Sequence, residues 1–104
     1  MNTETFDNII NEQLQTCKDV LISKAKEYAT VDRLHNFKVA AAIQGCTPIK
    51  ALAGMMAKHT VSIYDMCNGT GCGMVYTLAR WEEKITDSIN YLLLLKALVK
   101  ESDT

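Results

Sequence analysis

The chain has 104 residues, with 11 Lys and Arg against 12 Asp and Glu, one Pro and five Gly. That length fits one domain and leaves no room for a second, and 48% hydrophobic with 22% charged residues excludes a disordered, low-complexity chain. A net charge of −1 argues against general nucleic-acid binding, which uses a basic surface.

The start of the chain and its apolar runs bear on location. Residues 1–11 carry two acids and no base, which is unlike a secretory or transit peptide. Apolar runs such as the leucines at 92–95 are far shorter than the roughly 18 residues of a membrane span. We therefore expect a cytoplasmic protein with no membrane partner, whose four cysteines are reduced.

The first half of the chain predicts a long helix and a short one. Apolar side chains recur at three- and four-residue steps through the N-terminal segment, which predicts a helix over about residues 3–29. Asp32 is placed as the N-cap of a second helix over about residues 33–44. Gly45 is placed to end that helix in a left-handed conformation.

The second half predicts two further long helices. Thr47 and Pro48 combine an N-cap with the first helical position, so a third helix is expected over about residues 48–67. Three glycines in the segment 68–73 predict a loop, and a fourth helix follows over about residues 74–100. With no strand-like alternation, the sequence predicts an all-α fold, a bundle of three long helices and one short one within a single domain, 1–104.

The fourth helix has apolar side chains on more than one of its sides, most clearly in the leucine run at 92–95. A helix that is apolar all round needs contacts all round, and a chain with few helices supplies few of them. We therefore expect a homodimer or a higher even-numbered homo-oligomer. The alternative is a monomer with some exposed leucines, since scattered apolar residues are normal on protein surfaces.

An acidic group lies on the fourth helix. Glu83, Asp87 and Asn90 are spaced i, i+4 and i+7, so they share one helix face. Two carboxylates one turn apart suit Mg²⁺, which takes oxygen ligands and bridges to substrate phosphates. Glu83 and Asp87 are therefore the candidate catalytic and metal-binding residues. The alternative is a pair of solvated charges that form ordinary ion pairs along the helix.

A second cluster spans the junction of the first two helices and mixes cations, an amide and aromatic rings. Cations suit phosphate, an aromatic plane suits a base, and an amide suits the edge of that base. With neighbours from the later helices, the candidate nucleotide-binding residues are Lys24, Glu27, Tyr28, Arg33, His35, Asn36, Phe37, Lys58, His59, Asn90 and Tyr91. The alternative is a capped helix junction with solvated charges, in which Phe37 and His59 belong to the core.

Several short strings carry a family resemblance. K-x-x-E-Y at 24–28, D-R-L-H-N-F at 32–37 and K-H at 58–59 are similar to small phage and prophage proteins grouped with the nucleotide-modification-associated domains. The string at 81–92 resembles the second acidic motif of the MazG-like all-α nucleoside triphosphate pyrophosphatases. The likeness covers about residues 20–95. It implies a MazG-like bundle that oligomerises around a Mg²⁺–nucleotide pocket, in a phage protein of the bacterial cytoplasm.

The same resemblance implies two acidic pairs that hold Mg²⁺ and hydrolysis of a nucleoside triphosphate to monophosphate and pyrophosphate. Here Lys84 stands at the family's spacing from Asp87, and the third helix has a Lys-His pair in place of the first acidic pair. Glu27 or Asp65 would complete the metal shell. Three functions stay open: a Mg²⁺-dependent pyrophosphohydrolase, a non-catalytic protein that binds or sequesters a nucleotide or cyclic nucleotide, and a helical interaction module.

Overall fold

The structure is a computed structural model that describes residues 1–27 and 31–103. These residues form four α-helices and no strand: α1 (Thr3–Glu27), α2 (His35–Gln44), α3 (Pro48–Gly71) and α4 (Leu78–Ser102). The prediction of an all-α fold with three long helices and one short one is confirmed. The predicted end of the first helix, at residue 29, lies outside the described residues.

Two of the predicted helix signals are confirmed and one is wrong. The Thr47 side chain accepts a hydrogen bond from the Lys50 backbone N–H at 3.2 Å, and Gly45 ends α2 with φ 68° and ψ 39°. Asp32 is not the N-cap of α2, because Leu34 occupies that position. The Asp32 carboxylate instead accepts from the Leu34 N–H at 3.0 Å. This bond to the amide two residues on forms a turn just before the helix.

The predicted loop at 68–73 is partly wrong, because α3 continues to Gly71. A Cβ atom at Gly69 would overlap the hydroxyl of Tyr76, so this glycine allows the tyrosine to lie against the helix backbone. The chain turns at Gly73, where φ is 87° and only glycine is unstrained. α4 accordingly begins at Leu78, later than the pattern predicted.

The core lies between α2, α3 and α4. α3 packs against both α2 and α4. The fully buried side chain of Leu52, at the centre of this core, contributes roughly 1.5–3 kcal/mol by leaving water. The buried core residues are Leu34, Phe37, Leu52 and Leu98.

α1 packs against α4, and polar contacts join the two helices. Gln13 Nε2 donates to Thr86 Oγ1 at 2.8 Å, and Asn90 Nδ2 donates to the carbonyl oxygen of Cys17 at 3.4 Å. Both bonds join residues 73 positions apart, so α1 and α4 run in the same direction. Within the described residues α1 has no helix packing with α2 or α3. A space therefore remains between α1 and the helices α2 and α3, beside α4.

The chain is more open than a compact monomer of its size. Its radius of gyration is 16.0 Å, against about 13 Å for a compact domain of 100 residues. Its accessible surface is 7523 Å², against about 5,800 Å² for a monomer of this mass. Large apolar side chains that are more than half exposed contribute to this surface on three helices, among them Phe6, Leu14, Val61, Tyr64 and Leu92.

No single helix in the described part of the chain is both long and apolar enough to cross a membrane. α2 and α3 meet that test only when taken together, and they are bent by 98° at the break between them.

Candidate functional site

A cavity of about 280 Å³ occupies the space between α1 and the other helices. Its size is near the lower end for small-molecule pockets, roughly 300 Å³. The structure brings most of the predicted site residues into its wall: Lys24, Arg33, Asn36, Phe37, Lys58, His59, Asp87, Asn90 and Tyr91. Glu27, His35 and Glu83 do not line it, and Tyr28 lies outside the described residues.

The α4 side of the wall follows from helix periodicity. Asp87, Asn90, Tyr91 and Leu94 are spaced i, i+3, i+4 and i+7, so their side chains share one face. Glu83 continues this face by one turn towards the N-terminus, but its exposed side chain lies beyond the end of the cavity. The shared face was predictable from the sequence, whereas the length of helix that the cavity covers was not.

Three cations and one carboxylate line the cavity. Lys24 and Lys58 are exposed, so their ammonium groups can meet a ligand at the opening. Arg33 is half-buried, and its Nη2 donates to the carbonyl oxygen of Leu21 at 3.3 Å, which holds the guanidinium against α1. Among the described residues, Asp87 is the single carboxylate in the wall. The wall therefore carries an excess of positive charge, which suits an anionic group such as phosphate.

An aromatic group forms another part of the wall. The rings of Phe37 and Tyr91 meet edge to face, with centroids 6.5 Å apart, and the His59 ring lies 4.9 Å from that of Tyr91. Phe37 is also a core residue, 7% exposed, so it belongs both to the core and to the cavity wall. Such rings offer apolar area and π faces to a planar ligand.

Sequence reasoning missed the aliphatic part of the wall, Val20, Leu21 and Leu94. The signal that would have found it is helix spacing. Val20 and Leu21 precede Lys24 by four and three residues, and Leu94 follows Asn90 by four, so each lies next to a polar candidate on its own helix.

Two residues of the wall each carry a buried polar atom that has no hydrogen-bond partner within the described residues, namely His59 Nδ1 and Asn90 Oδ1. His59 Nδ1 lies 3.9 Å from Asp87 Oδ2, beyond hydrogen-bonding distance. The Cys17 carbonyl can only accept, so the Asn90 amide nitrogen must face it and Oδ1 must face away. A buried polar group without a hydrogen-bond partner lowers the stability of the folded protein by roughly 1–3 kcal/mol. A ligand atom that bonded to it would therefore be stabilising.

The carboxylates predicted for a metal site are not brought together. Of Glu27, Asp65, Glu83 and Asp87, all of them described, Asp87 alone lines the cavity, and the other three are exposed. The described residues contain no group of three His, Cys, Asp or Glu side chains that could hold a metal ion. Mg²⁺ is bound mainly through carboxylates and phosphates, whereas this wall offers one carboxylate among three cations. The donor set does not fit a protein-held Mg²⁺, and the magnesium site stays a prediction from sequence.

Comparisons of the chain with protein-family models, with curated proteins and with solved structures find no match. The resemblance to the MazG-like proteins and to the phage nucleotide-modification-associated domains therefore stays a prediction. Function has to be inferred from the cavity.

Proposed function

We propose that the chain binds a nucleotide in this cavity and does not hydrolyse it. The observation that carries the proposal is the composition of the wall, in which Lys24, Arg33 and Lys58 surround a space that also has aromatic rings and amides. Phosphate is bound by Lys and Arg, and bases stack on aromatic rings. The wall thus offers a counterpart to each part of a nucleotide.

The single carboxylate favours binding over turnover. A metal-dependent pyrophosphohydrolase needs acids to hold the ions that activate water and neutralise the triphosphate. In the described part of the cavity wall Asp87 has no second carboxylate with which to share an ion, and the neutralising charge comes from Lys and Arg side chains. A nucleotide whose phosphate is bound by Lys and Arg side chains needs no metal ion. This distinguishes the proposed binding protein from the pyrophosphatase that the resemblance implies.

Calorimetric titration with nucleoside mono- and triphosphates, in EDTA and in Mg²⁺, tests the proposal. We expect binding in EDTA and no release of pyrophosphate in Mg²⁺. The double variant K24Q/K58Q should weaken binding at least tenfold, whereas K26Q, which removes an exposed lysine of α1 outside the wall, should leave it unchanged.

Three results would contradict this reading. Pyrophosphate release that depends on Asp87 would establish the enzyme instead. Equal losses in K26Q and K24Q/K58Q would mean that net charge, not the cavity, attracts the nucleotide. Binding of no nucleotide would favour the helical interaction module.

Since nucleotides are cytoplasmic metabolites, the proposal also implies a protein of the cytoplasm, that of a bacterial host if the chain is phage-encoded.

We also propose that the chain forms an even-numbered homo-oligomer. It exposes about 1,700 Å² more than a monomer of its mass, and a standard interface takes about 800 Å² from each partner. An apolar groove between α3 and α4, on which Ile63, Ile85, Ile89 and Leu92 lie, is a surface for a second copy.

Sedimentation equilibrium tests the assembly. Leu92→Glu places a charge in the groove and should yield monomers, whereas Lys100→Glu, an exposed change near the end of α4, should not. A wild-type chain that sediments as a monomer at all concentrations would refute the assembly without affecting the proposal on nucleotide binding.

A further inference from the structure

We infer that the α4 side of the cavity, formed by Asp87 and Asn90, is a subsite for two adjacent hydrogen-bond donors of the ligand. The inference rests on the proposed function, because it concerns which nucleotide the cavity takes. It follows from the two acceptors on this face and from their distance along the helices from Lys24.

Asn90 supplies the first acceptor. The residue is only 5% exposed, and its amide nitrogen donates to the Cys17 carbonyl on the α1 side. Asn90 is a residue of the cavity wall, and its remaining polar atom, Oδ1, is buried and has no partner in the described residues. A carbonyl oxygen can only accept, so the ligand atom that satisfies it must carry N–H or O–H.

Asp87 supplies the second acceptor. It precedes Asn90 by three residues, so the two side chains are neighbours on one helix face, with Cβ atoms roughly 5–6 Å apart. An ionised carboxylate accepts and does not donate. Two acceptors this close favour a ligand edge that has two neighbouring donors, and they disfavour an edge that places an oxygen lone pair next to a donor.

Two of the three wall cations, Lys24 and Arg33, lie on the α1 side of the cavity, whereas Lys58 precedes His59, which is close to Asp87. The 73-position offset between α1 and α4 puts Lys24 level with residue 97, about 10 Å along the axis from Asn90 at 1.5 Å per residue. Arg33 is held by the Leu21 carbonyl on the same α1 wall. The ligand therefore lies along α4, with its phosphate towards Lys24 and Arg33 and its donor edge at Asp87 and Asn90.

Two parts of a nucleotide present adjacent donors. Guanine has its ring N1–H beside the exocyclic amino group, and ribose has neighbouring 2′ and 3′ hydroxyls. Adenine and cytosine have a single amino group beside a ring acceptor. Uracil and thymine have one N–H between two carbonyl oxygens, and one of these oxygens would face the Asp87 carboxylate, which cannot donate to it. The ligand class is thus a nucleotide with a guanine edge or an intact ribose diol in this subsite.

A monophosphate panel in EDTA tests the subsite and separates the two sources. GMP, IMP, 2′-deoxy-GMP, AMP and 2′-deoxy-AMP are titrated against the full chain. If the guanine edge is bound, GMP exceeds IMP and AMP about 10- to 100-fold, the usual effect of leaving a buried partner unsatisfied, and 2′-deoxy-GMP matches GMP. If the diol is bound, GMP and AMP bind alike and each exceeds its deoxy form by that factor.

Variants assign the preference to the two acceptors. Asn90→Leu and Asp87→Asn should each reduce the preference to less than threefold, while Glu82→Gln, an exposed change earlier on α4, should retain it. Affinities within threefold across the panel, or a preference that does not follow the number of donors, overturn the inference and leave nucleotide binding intact. If none of the five nucleotides binds, the subsite is refuted, and the titration with nucleoside triphosphates decides separately whether the proposed function fails as well.

Discussion

Asn90→Leu is expected to make the protein more stable, although the change removes a buried hydrogen bond. Leucine is close to asparagine in shape, so no cavity is left. The lost bond, from Nδ2 to the Cys17 carbonyl, is long at 3.4 Å and contributes about 0.5–1.5 kcal/mol. The partnerless Oδ1 atom costs roughly 1–3 kcal/mol in the absence of ligand. The difference predicts a gain of about 1 kcal/mol in the free energy of unfolding.

Thr86→Val is the matched control. Thr86 lies one turn earlier on α4, faces the same helix and is as deeply buried, 4% against 5% for Asn90. Its Oγ1 accepts a short bond from Gln13 Nε2, at 2.8 Å. Valine keeps the shape and removes the hydroxyl that accepts this bond, so we expect a loss of about 1 kcal/mol. The two polar-to-apolar changes should therefore shift stability in opposite directions.

Urea unfolding at one fixed protein concentration measures both variants, since any self-association would otherwise shift the midpoints. A gain of about 1 kcal/mol corresponds to a rise of roughly 4–8 °C in Tm for a domain of this size. If Asn90→Leu is destabilised as much as Thr86→Val, the Oδ1 atom is satisfied in the free protein. Asn90 would then need no hydrogen-bond donor from a ligand.

Two further predictions concern the rest of the fold. Gly54→Ala should stabilise the protein by up to about 1 kcal/mol, because Gly54 lies in a helix with open space around it. Gly69→Ala should destabilise the protein, because its Cβ meets Tyr76. Equal shifts of Tm in the two variants would refute the contact between Gly69 and Tyr76. Hydrogen bonding to Lys38, at 2.6 Å, lowers the pKa of Asp32 below its ordinary 3.8. The stabilisation from Asp32 is therefore present above about pH 4 and lost as pH falls through the lowered pKa. Lys38→Met should flatten stability over that acid range, and an unchanged pH profile would count against the pair.

Apolar spacing and capping residues predicted four helices, with Thr47 and Gly45 at the expected ends of their helices. These signals act within a few residues, so they can be found in a single chain. The glycine at 69 misled because a glycine is also used where another side chain approaches a helix. That approach comes from Tyr76 and depends on a turn that the pattern does not describe.

The candidate site was predicted in its residue types and less well in its extent. Spacing put Glu83 on the face of Asp87 and Asn90, and this is correct for a helix considered alone. Which turns of that face meet the cavity depends on where α1 lies along α4, and two hydrogen bonds made by Gln13 and Cys17 set that position. No local pattern encodes a pairing over 73 positions.

The placement of α1 has a consequence for the order of folding. Its helix contacts join segments far apart in the chain, so docking closes a long loop, and the entropy of that closure opposes it. α2, α3 and α4 are consecutive in the chain and have the buried core, so we expect them to collapse first and α1 to join last. The amides of α1 should then exchange their hydrogens through openings that leave the α2–α4 unit protected. The ligand would bind at the junction that forms last, and its binding would slow those openings.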